Sequence, residues 1–256
     1  MKMTNTQDKA VAVLIPVYRQ RLESHEAMAL EQCFRILGRH PIIAIAPASL
    51  EFDYLKGRAE VITFDPGHFT SAKSFSKLQL TGEFYGTFSR YRHILMYQLD
   101  AFVFRDELLH WCSQDFDYVG APWLNAGFPV SFQLRQSFPW WLKVRWRLGL
   151  DRGGRVGNGG FSLRKVSTCA AVLRRLAKFA AQWPYNQDIF WAVAAPNFCP
   201  RFKIPSVEKA LEFAFEVDPR ECFLRNGSRL PFGCHGWMKY DTDFWRGIFR
   251  EHGYTI

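Results

Sequence analysis

Apolar residues in the first half of the chain come in short runs, each cut off by a helix- or strand-breaking residue. "VAVLI" (Val11 to Ile15) ends at Pro16, "IIAIA" (Ile42 to Ala46) at Pro47, and "VITF" (Val61 to Phe64) at Asp65-Pro66-Gly67. None of them alternates with polar residues, as expected of strands covered on both faces of a parallel sheet. Between the first two runs, Ala27, Leu30, Phe34 and Leu37 recur at three- and four-residue spacing. That is the stripe of an amphipathic helix, with Gly38 as its stop signal. The pattern predicts a second helix around Lys77 to Phe88 and a further strand over "LMYQLDAFVF" (Leu95 to Phe104). Strands alternating with helices predict an α/β fold: a mostly parallel central sheet flanked by helices.

The second half is less regular. "DYVGAPW" (Asp117 to Trp123) reads as a strand entering a loop, and Val166 to about Phe179 as a helix. "NQDIFW" (Asn186 to Trp191) reads as a helix opening and "PFGCHGW" (Pro231 to Trp237) as a tight turn. There is no repeat, low-complexity tract or linker. Residues 10–256 are expected to form one domain behind a flexible segment, residues 1–9.

Composition narrows the class. No apolar run approaches the roughly 18 residues of a spanning helix, and the first apolar run lacks a cleavage site, so it reads as a strand and not a secretory signal. Six cysteines are scattered without a Cys-x-x-Cys pair, which favours reduced thiols in a cytoplasmic protein. A zinc site from Cys222, Cys234 and His235 matches no standard spacing. The net charge is +9, and the stretch Ser131 to Lys165 carries +7 of it. Phe138, Trp140, Trp141 and Trp146 are interleaved with those cations, so this stretch is expected to meet an anionic partner. The basic and aromatic residues over 138–155 suit an acceptor lid or the inner face of an anionic membrane. No nucleic-acid module accompanies them, so nucleic acid is not the expected partner.

Within the strand-like run at Leu95, Gln98 and Asp100 are the polar residues. A carboxylate closing an apolar run is costly to bury without a partner, and ligands of open α/β sheets bind beyond the carboxyl ends of strands. Asp100 is therefore a candidate site residue. The cluster "GGRVGNGGFS" has neither the ending of a P-loop nor the position of a dinucleotide fingerprint. It reads as a turn with positive φ at Gly157 or Gly159, or as backbone approached closely by a ligand. Taken singly, Asp188 is a helix-start residue after the N-cap Asn186, His235 a turn histidine, and Asp100 a strand-end cap.

Taken together, "YRHILMYQLDAFVF", "DYVGAPW", "VGNGGFSLRK", "NQDIFW" and "PFGCHGW" resemble, in order, a bacterial family of glycosyltransferase-like domains designated DUF5672. With "IPVY" and "EFYGTF" the resemblance covers nearly the whole chain, and it places the fold in the GT-A class of sugar transferases. It implies a nucleotide-sugar donor and a glycan or lipid-linked acceptor in bacterial surface-polysaccharide synthesis; the expected location is the cytoplasm, with the basic stretch 138–155 offering a peripheral contact to the inner face of the membrane. The Asp-x-Asp of GT-A enzymes corresponds to Gln98-Leu99-Asp100, so an amide replaces the first carboxylate. Asp100 and His235 are then the implied ligands of a divalent cation, Mn²⁺ or Mg²⁺. Asp188 corresponds to the general base of inverting members, with Gln187 where the family carries glutamate. Pro16, Tyr18, Gln98, Gly159 and Gly160 fall on the donor side, and Trp123, Asn186 and Trp237 on the acceptor side. The chain carries no signal for an oligomeric state. Gln98 and Gln187 leave open a fold that has lost catalysis, and the basic stretch leaves open a peripheral membrane or nucleic-acid-binding protein.

Overall fold

The computed structural model describes residues 9–48, 50–124, 138–148 and 154–256. Sequence expectations on residues 1–8, 125–137 and 149–153, including the cations Arg135 and Arg152, lie outside the described residues. Lys9, expected in the flexible segment, opens the first strand.

Six strands form the main sheet: β1 (Lys9–Pro16), β2 (Ile42–Pro47), β3 (Glu60–Phe64), β4 (Tyr91–Tyr97), β6 (Tyr118–Val119) and β7 (Phe161–Lys165). Their order is β3-β2-β1-β4-β7-β6, and β7 alone runs against its neighbours. A small second sheet joins β5 (Ala101–Val103), β9 (Gly233–His235) and β8 (Ala214–Phe215), in that order.

The runs of β1 and β2 are buried on both faces, as their composition requires, but "VITF" is not: β3 is an edge strand, paired on one side alone, and leaves Val61 45% exposed. Ala12 and Leu14 of β1 enter one core cluster with Ile43, Ile94, Phe84 and Trp191. Val11, Val13 and Ile15 enter the opposite one, against Ala29, Leu30, Cys33 and Leu37 of the helix Ser24–Leu37. A third cluster, built on Phe102, Trp237, Trp245 and Phe249, lies between the small sheet and the helix Thr242–Glu251.

Four boundaries depart from the sequence pattern, the simplest being the helix expected from Val166 to about Phe179, which breaks at Leu176 into Val166–Arg175 and Ala177–Ala181. The expected strand Leu95–Phe104 is two strands in two sheets: the chain turns at Gln98-Leu99-Asp100, where Ala101 N–H donates to the Gln98 carbonyl at 2.9 Å. The expected helix Lys77–Phe88 is broken, because the Thr81 hydroxyl caps a new helix, Gly82–Thr87, by accepting from Phe84 N–H at 3.1 Å. The core of "PFGCHGW" is a strand, β9, and the turn comes after it at Gly236, whose φ is +63°. Among the described residues no helix is long and apolar enough to cross a membrane.

Candidate functional site

Chain progression across the sheet reverses between β1 and β4, since β2 and β3 lie on one side of β1 and β4 on the other. That switch point is where open α/β sheets bind ligands. A cleft of about 470 Å³ opens there, with Pro16, Tyr18, Arg19, Gln98 and Asp100 on the sheet side and Phe69, Ser71 and Phe75 opposite. Tyr18 is half-exposed at the rim, with the Arg19 guanidinium 5.4 Å from its ring centre.

His235 is the hub of the site. Pairing of β5 with β9 sets Ala101 opposite His235, and Gly236 N–H donates to the Asp100 carbonyl at 2.9 Å, so the two sequence-distant residues are tied through the backbone. His235 Nε2 lies 3.0 Å from Asp100 Oδ1 and 3.1 Å from Gln98 Oε1. On the other side of the ring, Nδ1 lies 3.0 Å from Glu216 Oε1. Burial by itself pushes an imidazole toward its neutral form, but the two flanking carboxylates outweigh it and raise the His235 pKa to about 10. Burial likewise opposes ionisation of Asp100 and Glu216, yet contact with His235 holds both below the usual carboxylate range.

The "GNGGFS" segment packs beneath this hub. A Cβ on Gly160 would fall 1.9 Å from His235 Nε2, and one on Gly159 2.1 Å from Gln187 Nε2. Neither Gly157 nor Gly159 takes positive φ, contrary to the turn expected from sequence; the glycines are required by the side chains lying against them. The backbone here is held by Arg164, fully buried on β7, whose Nη2 donates to the Gly159 carbonyl at 3.2 Å, and by the Tyr118 hydroxyl, which donates to the Asn158 carbonyl at 2.6 Å. Gln98 N–H closes the join to β4 by donating to the Gly160 carbonyl at 2.8 Å.

Asp188 stands in the first turn of the short helix Gln187–Ile189, which opens into a π turn over Phe190–Ala194. Such turns recur at functional sites. The helix is tied to the cleft wall by Gln187 N–H, which donates to the Ser76 hydroxyl at 2.6 Å. Burial lifts the Asp188 carboxyl from 3.8 to about 6; the Ile189 N–H, 2.7 Å from Oδ1, opposes this, and the charge of Glu216 adds to it. A carboxyl poised there accepts a proton near neutrality.

Pro16, Tyr18, Gln98 and Asp100 thus share one cleft; His235 touches Gln98 and Asp100, Gly160 lies against His235, and Gly159 against Gln187 and Asp188. The acceptor-side expectations divide. Asn186 is exposed at the helix start, and its side chain makes no capping bond, contrary to its expected role. Trp123 is only 7% exposed and turns its indole N–H to Glu216 Oε2 at 3.2 Å. Trp237 is fully buried, edge-on to Phe249, because the turn at Gly236 directs it into the third core; it offers no surface to an acceptor. Sequence reading missed Glu216, Asn158 and Arg164. The first carried the same signal as Asp100, a carboxylate closing the apolar run "FAF" (Phe213 to Phe215).

Among the described residues no three His, Cys, Asp or Glu side chains converge on one point. Cys222 and Cys234 are buried in the third cluster, and burial pushes the Cys222 thiol up to about 12. The donors present are one carboxylate, one amide oxygen and the His235 imidazole once a cation displaces its Nε2 proton, a set that fits Mn²⁺ or Mg²⁺ completed by diphosphate and water oxygens.

This architecture is the GT-A glycosyltransferase fold. Mouse xyloside xylosyltransferase 1 in its apo form matches over 89% of this chain and 97% of its own, at 12% identity and a TM-score of 0.50. The galactosyltransferase LgtC, solved with donor and acceptor sugar analogues, matches over 88% of this chain and 86% of its own, at 12% identity and a TM-score of 0.53. The bifunctional glycosyltransferase WbbM matches over 91% of this chain and 47% of its own, at 14% identity and a TM-score of 0.50. Comparison with curated protein sequences gives no match. The family described as protein of unknown function (DUF5672) matches residues 58–235, and the chain belongs to it.

Proposed function

We propose that the protein transfers a sugar from a nucleotide-sugar donor to a hydroxyl of a glycan or lipid-linked glycan, with inversion at the anomeric carbon. The observation that carries this reading is Asp100 lining the cleft between β1 and β4 and in contact with His235, with the carboxyl of Asp188 near enough to feel the charges of His235 and Glu216. The nucleotide lies in the cleft against Tyr18 and the Phe69–Phe75 wall, and the diphosphate reaches Gln98 and Asp100. Those two residues and His235 would hold a divalent cation, which when bound neutralises charge growing on the departing diphosphate. Asp188 takes the acceptor hydroxyl's proton as the new glycosidic bond forms, a contribution of about 10² to 10⁴ in rate. Arg164 and Tyr118 keep the Gly159–Gly160 backbone fixed under the donor sugar.

A thermal-shift panel of UDP-, GDP-, CMP- and dTDP-sugars, with and without Mn²⁺, tests donor use. One donor should raise Tm by mass action. Asp100→Asn and His235→Ala should each remove the Mn²⁺-dependent part of that rise while the apo proteins still melt cooperatively. An unchanged Mn²⁺ response in both variants would remove these residues from the cation site.

The setting we propose is bacterial surface-polysaccharide assembly, with the enzyme resting on the cytoplasmic face of the membrane. Phe138 and Leu142 root the helix Trp140–Arg147 in the core, while Trp140 (75% exposed), Val144 (41%) and Leu148 (67%) recur every four residues along its outer side. The sequence sets Lys143, Arg145 and Arg147 among them, the composition of a helix lying in an anionic interface. Replacing Trp140 and Trp141 with alanine should weaken binding to anionic vesicles at every salt concentration, because buried apolar area is little screened. Co-sedimentation equal to that of the unaltered protein would exclude this contact.

A further inference from the structure

We infer that Glu216 is a positioning residue that fixes the ring of His235, turning Nε2 toward Gln98 and Asp100. In its bearing on a cation, this rests on the reading of the site given above.

Glu216 follows β8 directly. β8 runs parallel to β9 with Phe215 opposite Cys234, so the next residue along each strand is Glu216 on one and His235 on the other. Its side chain is 12% exposed, and a carboxylate so buried is tolerated only when hydrogen-bonded. Three groups meet it: His235 Nδ1 at 3.0 Å, Trp123 Nε1–H at 3.2 Å, and the Asn158 amide, whose Nδ2 also lies 2.9 Å from His235 Nδ1 and backs the ring together with the carboxylate. Asn158 is itself fixed, since its Oδ1 accepts from Phe161 N–H at 2.8 Å.

The His235 ring is thereby determined from three sides. Glu216 holds Nδ1 from behind, the bare Cα of Gly160 admits the ring from below, and Asp100 and Gln98 face Nε2 in front. Turning the ring over would set a carbon against Glu216 and lose the Nδ1 bond. A mere counter-charge could stand anywhere near the imidazole, and Asp100 already supplies one. A second carboxylate on the opposite nitrogen instead fixes direction, as carboxylates behind ligating histidines do. Glu216 does not compete with Asp188 as the proton acceptor, because its oxygens are occupied by these three groups. The same carboxylate orients Trp123, so one buried group ties the donor-side histidine to the indole expected on the acceptor side.

The test compares wild type, Glu216→Gln and Glu216→Ala by Mn²⁺ titration followed by electron paramagnetic resonance, and by ¹⁵N ring spectra of His235 assigned by its loss in His235→Ala. Glutamine keeps the volume and one acceptor oxygen, so a folded variant is at hand if alanine fails to fold. The expected result is Mn²⁺ affinity lowered roughly 10- to 100-fold in the alanine variant and by less in the glutamine variant. The protected Nδ1–H signal of His235 should be lost or shifted in both. A purely structural Glu216 would lower Tm and leave the affinity of the folded protein untouched. Equal affinity in wild type and both variants, with unchanged ring signals, overturns the proposal and leaves the cation reading standing. If wild type takes up no Mn²⁺, the cation reading falls and the ring spectra alone decide: altered His235 signals in Glu216→Gln uphold the positioning role, and unaltered ones overturn it.

Discussion

Asp188→Asn is expected to lower sugar transfer by at least about 10²-fold while donor binding persists and the protein becomes more stable. The two effects share one cause. Asparagine keeps the size of the side chain and can still accept the Ile189 N–H, but it takes no proton from an acceptor hydroxyl. In the native protein the buried carboxyl has been lifted from 3.8 to about 6, so the folded state binds its proton more tightly than the unfolded state does. Its ionisation therefore opposes folding, by on the order of 3 kcal/mol at neutral pH. This cost is absent below about pH 4, develops as the pH rises toward 6, and is constant above that. The variant should accordingly melt higher than wild type at pH 7.5 and nearly alike at pH 4. In wild type, kcat/KM should fall as the pH drops below about 6, where the base becomes protonated. Transfer within a few-fold of wild type would return Asp188 to the role of a helix-start residue, and a product of retained configuration would deny it the role of base.

Gly160→Ala should remove the Mn²⁺-dependent donor response altogether. The added carbon would sit 1.9 Å from His235 Nε2 and 2.3 Å from Cδ2, and the ring has nowhere to retreat because Glu216 and Asp100 hold it on both sides. The backbone at Gly160 is not in a left-handed conformation, so the penalty comes from overpacking, with a typical cost of about 1–3 kcal/mol. Gly247→Ala is the control: it lies in the helix Thr242–Glu251, an added Cβ meets nothing within 4 Å, and alanine there should stabilise by about 0.5–1 kcal/mol. Thermal melts of both variants with and without donor check the pair. A Gly160→Ala protein that still answers to donor and Mn²⁺ would show that the His235 ring can move, and that its fixed position is not required.

The sheet was legible in the sequence where strands are buried on both faces. "VAVLI" and "IIAIA" can serve as little else, and they form the centre of the sheet. The break at Gln98–Asp100 was not legible, because "AFVF" is as apolar as the strand before it; only pairing with β9, more than a hundred residues away, assigns it to another sheet. Asp100 stood out as a charge ending an apolar run, and Glu216 ended one too, but its meaning depends on His235, which approaches it only across the β8–β9 pair. Arg164 gave no signal, since arginine is normally exposed. Nothing local marks an arginine whose guanidinium lies wholly inside, under the Gly159 carbonyl. Trp237 misled for the converse reason: a tryptophan in a glycine-flanked turn looks available to a ligand, and one backbone angle at Gly236 decides that it faces the core.

The most direct test of donor use at the β1/β4 cleft is release of free nucleotide from the panel of nucleotide sugars, without acceptor, by wild type and Asp100→Asn. Slow release from one donor, stimulated by Mn²⁺ and lost in the variant, is the expected result. No release and no binding of any nucleotide sugar by the folded wild-type protein would contradict glycosyl transfer and leave a GT-A fold that serves another purpose.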